Sequence, residues 1–437
     1  MRSGKQIARE IFWNTLAALD IPRVMKQKLT FEEGSLLLES GRVVLPKTTP
    51  LIVVAIGKAA HAMVAGLREL LPEHCGFRGV VAAPTKPHGS VPGLQYFVGG
   101  HPDPNEGSWQ AAEAILELLH TTNEHSVVFF LLSGGGSALA ELPLIPEMSL
   151  QDLRTVNHAL VTCGAPIEAM NTVRRHFSAI KGGRLAVAAG SATKVTLAVT
   201  DVPDGKENAL ASGPTIPDAS TIPDVNRVLA EYSLREKLPG VVLRWLDQGQ
   251  MPKTPKPGDA AFRSAHFKLL LGTHDLFHAA HHATEAHGYA TCCDNSTDDW
   301  PVERAAENLL QKLGEWKAEN PGQRMALIAD GEVSSPVTGN GIGGRNSAFV
   351  LACAEKIAGS KVTVLSAGTD GVDGNSPAAG AVADGETLAR AKAQGMDPID
   401  YFRRSDAYSF FAKLDDAIVT GPSGNNLRDL RILLVEP

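Results

Sequence analysis

Short apolar runs alternate with amphipathic stretches through the first 200 residues. Four runs have the length and the Val, Leu, Ile and Phe content of buried strands: residues 50–57, 79–84, 127–132 and 192–203. Three segments between them carry apolar residues at helical spacing: 58–71, 107–120 and 149–164. Strands that alternate with helices predict a Rossmann-like α/β fold, with a parallel sheet covered by helices on both faces.

A Pro-, Lys- and Gly-rich stretch, residues 247–262, interrupts this alternation and is typical of a hinge or linker. Beyond it the alternation resumes, starting with the apolar run "FKLLLG" at 267–272. The 437 residues exceed what one core usually serves. We therefore predict two domains, residues 1–258 with the hinge included, and a second, smaller α/β domain at 259–437.

The composition excludes several classes of partner. Hydrophobic residues make up 43% of the chain and charged residues 20%, with a formal net charge of −7 and no basic stripe, so nucleic acid is not an expected partner. The longest apolar runs have strand length, so no membrane span is predicted. Five cysteines without zinc or disulfide spacing favour a reducing compartment, the cytoplasm.

The stretch "VVFFLLSGGGSALAELP" (127–143) runs from a buried strand through Ser133, three glycines and Ser137 into a predicted helix. Glycines between a strand and a helix can cradle a phosphate, because other atoms approach the backbone closely there. A cramped turn in which a Cβ atom would clash explains the same residues. The segment alone leaves both interpretations open.

Two further strand ends carry charged residues. Lys58 follows the first strand in "AIGKAA", where an anion would offset its charge against the positive end of a helix. Asp201 and Asp204 follow the strand in "VTDVPDG", where a carboxylate binds Mg²⁺ or takes a proton from a hydroxyl. A solvated lysine and an Asx turn are the respective alternatives.

The segment "TGNGIGGRNSAF" formally matches G-x-G-x-x-G at Gly339, Gly341 and Gly344. The match lacks both the acidic partner of a dinucleotide fold and the lysine of a P-loop. It does offer Arg345 and Asn346 at a predicted helix start, and an arginine forks onto a carboxylate or phosphate in a bidentate way. A solvated arginine on a long loop is the alternative.

Several other clusters are ambiguous. "AGTDGVDG" and "TGPSGNN" resemble binding rims, whereas the basic segment "NTVRRHFSAIKGGRLA" (171–186) is typical of a solvated helix face whose Gly182–Gly183 pair has a packing or ligand role. His274, His278 and His282 have metal-binding spacing but lack a carboxylate partner, so we interpret them as a polar helix face. The pair Cys292–Cys293 is interpreted as core or strand residues.

Eight segments in order resemble the glycerate 2-kinases of the MOFRL type, once often labelled hydroxypyruvate reductases: "AIGKAA", "GHPDPNEGSWQAAEAILELL", "LLSGGGSALAELP", "RRHFSAIKGGRLA", "SGPTIPD", "GNGIGGRN", "SAGTDGVDG" and "TGPSGNNLRDLRILLV". The resemblance spans nearly the whole chain. It implies a Rossmann-like N-terminal domain, a smaller C-terminal α/β domain and an active site in the cleft between them. It also implies ATP, Mg²⁺ and D-glycerate, giving 2-phosphoglycerate (EC 2.7.1.165).

By position, the family's catalytic lysine matches Lys58, its arginine Arg345 and its aspartate Asp201. The interpretation as a whole assigns Lys58, Arg345 and Asp201 to catalysis, Ser133, Gly134, Gly135, Gly136, Ser137 and Lys181 to phosphate or ATP, Arg174, Asn346, Asp370, Asp373, Thr420 and Asn425 to the substrate or rim, and Asp201 or Asp204 to Mg²⁺. The chain departs from the family pattern at Gly205, at Pro377 and after "GGRN" at Ser347–Ala348.

Two other functions compete with the kinase. One is an NAD(P)H-dependent hydroxypyruvate reductase, which would need a dinucleotide fingerprint after the first strand, and "AIGKAA" is not one. The other is a non-catalytic protein that binds a nucleotide and a sugar acid. The sequence leaves the oligomeric state open, with a homodimer as one option.

Overall fold

The computed structural model describes residues 2–87, 89–200, 202, 205–425 and 427–437. The helices are α1 (Gly4–Ala18), α2 (Ile21–Lys28), α3 (Ala60–Leu70), α4 (Glu106–Leu119), α5 (Gly136–Leu139), α6 (Leu150–Thr162), α7 (Ile167–Phe177), α8 (Arg184–Ala188), α9 (Ile222–Glu231), α10 (Gly240–Asp247), α11 (Thr273–Glu285), α12 (Val302–Glu319), α13 (Arg345–Lys356), α14 (Thr387–Ala393), α15 (Pro398–Arg403) and α16 (Ala407–Lys413). Among the described residues, no helix has the length and apolar character needed to cross a membrane.

The strands are β1 (Thr30–Glu32), β2 (Ser35–Leu38), β3 (Gly41–Val44), β4 (Leu51–Ile56), β5 (Phe77–Ala83), β6 (Leu94–Val98), β7 (Val127–Leu132), β8 (Thr193–Val199), β9 (Ala265–Leu271), β10 (Ala290–Asp294), β11 (Met325–Asp330), β12 (Val362–Gly368), β13 (Gly380–Asp384), β14 (Ala417–Ile418) and β15 (Asp429–Val435). The strands predicted from the apolar runs are all present. The small antiparallel sheet β1–β2–β3 was not predicted.

The chain divides into two compact units. The large unit is Ile21–Leu270, and the small unit combines Met1–Asp20 with Leu271–Pro437. This division differs from the predicted domains at both ends. Helix α1 belongs to the small unit because it buries Ile11 and Phe12 there, and Lys5 forms an ion pair with Asp416 at 2.7 Å.

The predicted start of the second domain at residue 259 differs from the structure for a related reason. Strand β9, which was expected to open the second domain, is the last strand of the large-unit sheet. Phe267 and Leu269 on this strand pack against the core of that sheet. An apolar run identifies a strand, but its composition does not say which sheet it joins.

The large-unit sheet has the strand order β6-β5-β4-β7-β8-β9, and β4 to β8 pair in parallel. Strands β4 and β7 are buried along their whole length, which explains their continuous apolar sequences. The chain progresses from β4 to one edge of the sheet and from β7 to the other. The reversal therefore falls between these two central strands, as in the Rossmann fold.

The small-unit sheet has the order β10-β11-β15-β12-β13-β14. Only β10 and β11 pair in parallel, so this α/β unit contains a mixed sheet. Strand β15 runs antiparallel to its neighbours, and Asp429 at its start pairs with Gly368 at the end of β12. The start of β15 consequently lies at the same sheet edge as the ends of β11 and β12.

Candidate active site

Two loops meet where the strand order of the large unit reverses. The loop after β4 carries Lys58, and the loop after the adjacent strand β7 is the glycine loop, residues 133–137. In open α/β sheets, a crevice for ligands forms at this position because the two loops diverge to opposite sides. The fold therefore brings together two of the segments that the sequence singled out.

Ser133 connects these two loops. Its backbone N–H donates to Ile56 O at 2.9 Å, and its Oγ accepts the N–H of Ala59 at 3.0 Å. The N–H of Lys58 donates to Gly134 O at 2.9 Å. Ser133 is fully buried. It fixes the backbone at Lys58 from inside the protein, rather than presenting its hydroxyl to a ligand.

The glycines around this junction are needed because a side chain at their positions would clash with neighbouring atoms. Gly57 has φ +135°, and a Cβ atom on it would lie 2.1 Å from Ser133 Oγ. A Cβ on Gly136 would lie 2.8 Å from the Cβ of Ala211. The alternative interpretation of the glycines, a cramped turn in which a Cβ atom would clash, therefore applies at these two positions. Helix α5 after the loop has only four residues, too short for a substantial helix dipole to attract an anion.

Lys58 and His101 flank Gly135, which has φ +78°. A Cβ atom on Gly135 would lie 3.4 Å from Lys58 Cγ and 3.1 Å from His101 Cδ2. Any side chain here would fill the space between the lysine and the histidine. The sequence reasoning did not select His101, although it follows a strand end in the quoted segment "GHPDPNEG" and so carried a usable signal.

Lys181, a predicted phosphate ligand, lies beneath the glycine loop. It is 1% exposed, forms an ion pair with Glu141, and donates to the carbonyl oxygen of Ser137 at 2.8 Å. Glu141 in turn accepts the hydroxyl of Ser178 at 2.5 Å. Burial lowers the pKa of the Lys181 ammonium to about 7. These internal contacts make Lys181 a support for the loop.

Ser137 leads into a polar network that reaches α7. Its Oγ lies 2.9 Å from Ser212 Oγ, and Ser212 donates to Asn171 Oδ1 at 3.0 Å. Ser212 and its neighbour Ala211 both have left-handed backbone conformations, with φ +59° and +48°. Non-glycine residues in this region store strain and cluster at functional sites. A run of small residues is the only signal for this loop in the sequence.

Arg174 stands at the far end of this network. Its Nη1 reaches Asn171 Oδ1 at 3.5 Å and its Nη2 donates to Asn157 Oδ1 at 3.1 Å. Among the described residues it forms no ion pair with a carboxylate. Burial lowers the pKa of this guanidinium. Arg174 lines a narrow cavity together with Ser137 and Lys181, so a partly buried cation with two neutral acceptors faces the glycine loop.

The carboxylates proposed for catalysis and Mg²⁺, Asp201 and Asp204, lie outside the described residues. Within the described part of the chain, no group of three His, Cys, Asp or Glu side chains is arranged to hold a metal ion. This holds for α11, where the predicted helix carries His274, His278 and His282. Cys292 and Cys293 lie on β10, as predicted for strand residues, but both are exposed rather than part of a core.

In the small unit, Arg345 is held between two carboxylates. Its Nε lies 2.5 Å from Asp429 Oδ2, and its Nη1 donates to Glu332 Oε2 at 2.8 Å. Burial opposes the charge, but Asp429 and Glu332 together raise the pKa of the guanidinium above its ordinary value. Arg345 is therefore a fixed, permanently charged group at the sheet edge, not a solvated one.

The residues after Arg345 begin helix α13, and Asp373 caps this helix. Its carboxylate accepts the N–H of Asn346 at 2.8 Å and both the N–H and the hydroxyl of Ser347. Asn346 is buried, and its Oδ1 accepts the hydroxyl of Ser366 at 2.6 Å. The helix terminus is thus filled by the protein's own carboxylate, so Asp373 and Asn346 contact neighbouring residues rather than forming an open rim.

The remaining predicted rim residues also contact other parts of the protein. Asp370 Oδ1 accepts the N–H of Val372 at 3.0 Å, in an Asx turn. Thr420 donates to Gly421 O at 2.6 Å, and the buried Asn425 donates to Leu19 O at the end of α1 at 3.1 Å. Asn425 therefore ties the N-terminal helix to the small unit.

A cavity of about 610 Å³ lies in the small unit beside Arg345. Helices α12, α13 and α15 and the segment 335–338 surround it, with apolar walls that include Leu351 and Phe402. Lys356 and Arg403 lie on the same walls. No local pattern in the sequence indicates this cavity, because its walls come from helices that are distant along the chain.

Comparisons with known proteins agree along the whole chain. Residues 7–247 match a family model described as a domain of unknown function (DUF4147), and residues 325–429 match the MOFRL family. Over 99% of both chains, the protein is 34% identical to a D-glycerate 2-kinase of Thermotoga maritima. A relative from Agrobacterium vitis, 35% identical over 88% of this chain and 87% of the other, bears a provisional name as a hydroxypyruvate reductase.

The fold is also similar to that of a solved structure. The crystal structure of a glycerate kinase (EC 2.7.1.31) from Thermotoga maritima superposes with a TM-score of 0.83 at 34% identity, covering 99% of each chain. The similarity therefore includes both units and the strands that carry the two loops described above.

Proposed function

The chain belongs to the glycerate kinase family that carries a MOFRL domain, and we propose that it transfers the γ-phosphoryl group of ATP to the 2-hydroxyl of D-glycerate, giving 2-phosphoglycerate and ADP. The observation that carries this proposal is the 34% identity with a D-glycerate 2-kinase over 99% of both chains. Glycerate kinase activity follows from family membership. The 2-hydroxyl as acceptor and ATP as donor are the finer parts of the proposal.

In this reaction the 2-hydroxyl oxygen bonds to the γ-phosphorus, and the bond from that phosphorus to the oxygen bridging it to ADP breaks. The hydroxyl proton passes to a base or to water. Phosphoryl transfer needs mainly alignment of the two reactants and compensation of negative charge. Cations on rigid strand ends are the side chains suited to both tasks.

We assign the ATP phosphates to Lys58 and the glycine loop. The backbone of Lys58 is anchored to Gly134, and its side chain lies beside Gly135, where the missing Cβ leaves room for a ligand. Lys181 supports this assignment indirectly, because it holds Ser137 from the buried side. A lysine on a fixed backbone adds charge compensation without much loss of conformational freedom on binding.

We assign the substrate carboxylate to Arg174. Its guanidinium has two neutral amide acceptors and, among the described residues, no carboxylate partner. An arginine forks onto a carboxylate with two parallel hydrogen bonds, which also fixes the orientation of the bound acid. Arg174 lines a narrow cavity together with Ser137, next to the glycine loop.

Arg345 has forked donors that suit either a carboxylate or a phosphate, and we propose it as the clamp for the transferring phosphoryl group. All three of its guanidinium nitrogens contact Asp429 or Glu332, and Nη2 lies 3.2 Å from Asp429 Oδ1 and 2.6 Å from Glu332 Oε1. The guanidinium is held in one orientation by these two partners. A preoriented, permanently charged donor of this kind stabilises developing negative charge without reorganising during the reaction.

Mg²⁺ is part of the proposal only as a companion of ATP. Magnesium bound with a nucleotide usually takes one or two carboxylates and the substrate's own phosphates. The sequence candidates for these carboxylates are Asp201 and Asp204, which lie outside the described part of the chain. No step of the mechanism above depends on the metal.

The two alternatives have less support. A reductase would bind a dinucleotide at the turn after β4, but that turn is Gly57–Lys58 and lacks the G-x-G-x-x-G pattern. Its only remaining basis is the provisional name of some relatives. A non-catalytic sensor would bind the same ligands without turnover.

A coupled ADP assay with purified full-length protein, ATP and D-glycerate tests the proposal. We expect turnover with D-glycerate and none with L-glycerate, and ³¹P NMR of the product should show the 2-phosphate ester. Absence of ADP formation together with tight ATP binding would favour the sensor. Oxidation of NADH with hydroxypyruvate would favour the reductase, and a 3-phosphate product would overturn the proposed acceptor atom.

A further inference from the structure

A group of buried basic residues lies in the large unit, apart from the loops after β4 and β7. We call Arg175, His176, Arg184, Asp218 and Lys256 the basic cluster. The sequence favoured a solvated helix face for this segment. In the structure Arg175 is 7% exposed, His176 is fully buried, and Asp218 is 2% exposed. Burial lowers the pKa of both arginines, and of the imidazole of His176.

Four chain segments converge on this cluster. Arg175 Nε lies 3.1 Å from Asp218 Oδ1, and Lys256 Nζ donates to Asp218 O at 3.0 Å. Arg184 opens helix α8, directly after Gly182 and Gly183. A Cβ on Gly182 would lie 3.1 to 3.4 Å from the side-chain carbons of Arg175. Gly182 therefore has a packing role, because its missing side chain leaves space for Arg175 beside the turn.

Several N–H donors of the cluster have no acceptor within the part of the chain that the structure describes. Arg184 Nε and Nη2 are buried without a hydrogen-bond partner, and so is Arg175 Nε, which approaches Asp218 without hydrogen-bond geometry. Buried guanidinium donors are almost always satisfied by protein, water or an ion. Among the described residues, these three donors and the Nε2 of His176 have no hydrogen-bond partner, so an acceptor from outside the described residues would satisfy the arginines.

The charges of the cluster are also unbalanced. Arg175, Arg184 and Lys256 carry three positive charges, and Asp218 carries one negative charge. The Asp218 carboxylate also accepts the N–H of Ser220 at 3.1 Å and its hydroxyl at 2.6 Å. The Nδ1 of His176 cannot accept a hydrogen bond from the arginines, because it donates to Thr172 O at 2.9 Å. Uncompensated buried charge is costly, so a bound anion would stabilise this part of the fold.

We propose that the basic cluster binds a small inorganic anion of the halide class, with chloride as the probe. The anion accepts hydrogen bonds from Arg184 Nε and Nη2 and from Arg175 Nε. A small anion suits this cluster, because Arg175 and His176 are almost completely enclosed. The site is therefore distinct from the ATP and glycerate sites proposed above, and it does not depend on the kinase reaction.

The experiment compares chloride with gluconate, an anion too large for the enclosed cluster, at equal ionic strength. We expect the Tm of the full-length protein to rise saturably with chloride, by about 3 °C at a tenfold excess over the Kd. The Arg184→Gln variant should lose most of this rise. Arg227→Gln, an exposed arginine on α9 of the same unit, should keep it.

Crystals of the unmodified protein soaked in bromide give a second readout. This readout tests the proposal even if the Arg184→Gln variant does not fold. We expect an anomalous peak within hydrogen-bonding distance of Arg184 and Arg175. Equal Tm values in chloride and gluconate, a rise that Arg184→Gln retains, or a cluster filled by water with no bromide peak would each overturn the proposal.

Discussion

The carboxylate of Asp429 holds the guanidinium of Arg345 side-on, with Nε 2.5 Å from Oδ2 and Nη2 3.2 Å from Oδ1. Asp429 opens strand β15 and is almost fully buried, whereas Glu332, the second partner of Arg345, is half-exposed. The two carboxylates therefore differ in how strongly solvent screens their interaction with the same arginine. This difference gives a matched pair of variants.

Asp429→Asn should lower kcat/KM for glycerate phosphorylation by about 10- to 100-fold, because Arg345 loses its buried, rigid partner. Glu332→Gln should lower it by less than about threefold, because its interaction is screened by solvent. The loss should appear mainly in kcat, measured by the coupled ADP assay. Equal losses in both variants, or a loss of Tm without a loss of kcat, would show that Asp429 does not position Arg345 for catalysis.

Lys58→Ala should lower kcat/KM by at least about 100-fold, the size expected for removing one charge-stabilising donor from an active site. The variant should remain folded, because the backbone N–H of residue 58 keeps its hydrogen bond to Gly134 O. Lys237→Ala, at an exposed lysine in the same unit, serves as the control and should retain full activity. Full turnover in Lys58→Ala would remove this residue from the mechanism.

Arg174→Gln should raise the KM for D-glycerate about 10- to 100-fold, since a charged hydrogen-bonding group contributes about 1.5–3 kcal/mol. The KM for ATP should stay within about twofold, and Arg174→Lys should give an intermediate effect because it keeps the charge but loses the forked geometry. Steady-state kinetics with each substrate varied in turn separate the two constants. An equal rise of both would contradict a role in binding the carboxylate.

Gly57→Ala should destabilise the large unit by more than about 3 kcal/mol, because the new Cβ would overlap Ser133 in the close-packed junction of β4 and β7. Gly34→Ala is the matched control: Gly34 also has positive φ, at +72°, but nothing lies within 4 Å of a Cβ placed there. Its cost should be about 1 kcal/mol, from backbone conformation alone. Similar Tm losses would mean that the junction at Gly57 tolerates a side chain.

The buried carboxyl of Asp330 should make the free energy of unfolding depend on pH. Burial raises the pKa of its carboxyl to about 6 in the folded protein, and its Oδ1 has no hydrogen-bond partner. The folded state therefore binds more protons than the unfolded state between the ordinary pKa of 3.8 and about 6, and its stability falls as the pH rises through that range.

Asp330→Asn removes this titration and should be more stable than the native protein above pH 7, by about 2–3 kcal/mol. The difference should shrink at pH 4.5, where native Asp330 is largely protonated. Tm values from scanning calorimetry at the two pH values measure it, and Asp400→Asn, at an exposed carboxylate of the small unit, should show no such dependence. A pH-independent difference would place the effect on packing instead of on protonation.

Much of the candidate site could be read from local patterns. The apolar runs identified β4 and β7, and the residues directly after them, Lys58 and the glycine loop, are adjacent in the structure because parallel neighbouring strands end at the same edge. Arg345 was likewise selected from its place at a helix start. Its two carboxylate partners were not, since Glu332 and Asp429 are 97 residues apart along the chain and are brought together only by the mixed sheet.

The sequence by itself determined the order of strands and helices, the presence of two α/β units and the family, because periodicity and ordered motifs are properties of the chain. Only the tertiary structure decided which unit takes α1 and β9, and which polar side chains are enclosed. Lys181, Asp373 and the basic cluster looked like surface or ligand-binding groups in the sequence, yet each is buried against partners from distant segments. Burial depends on how helices and strands pack in three dimensions. The chemical type of a single side chain therefore does not show whether that side chain is buried.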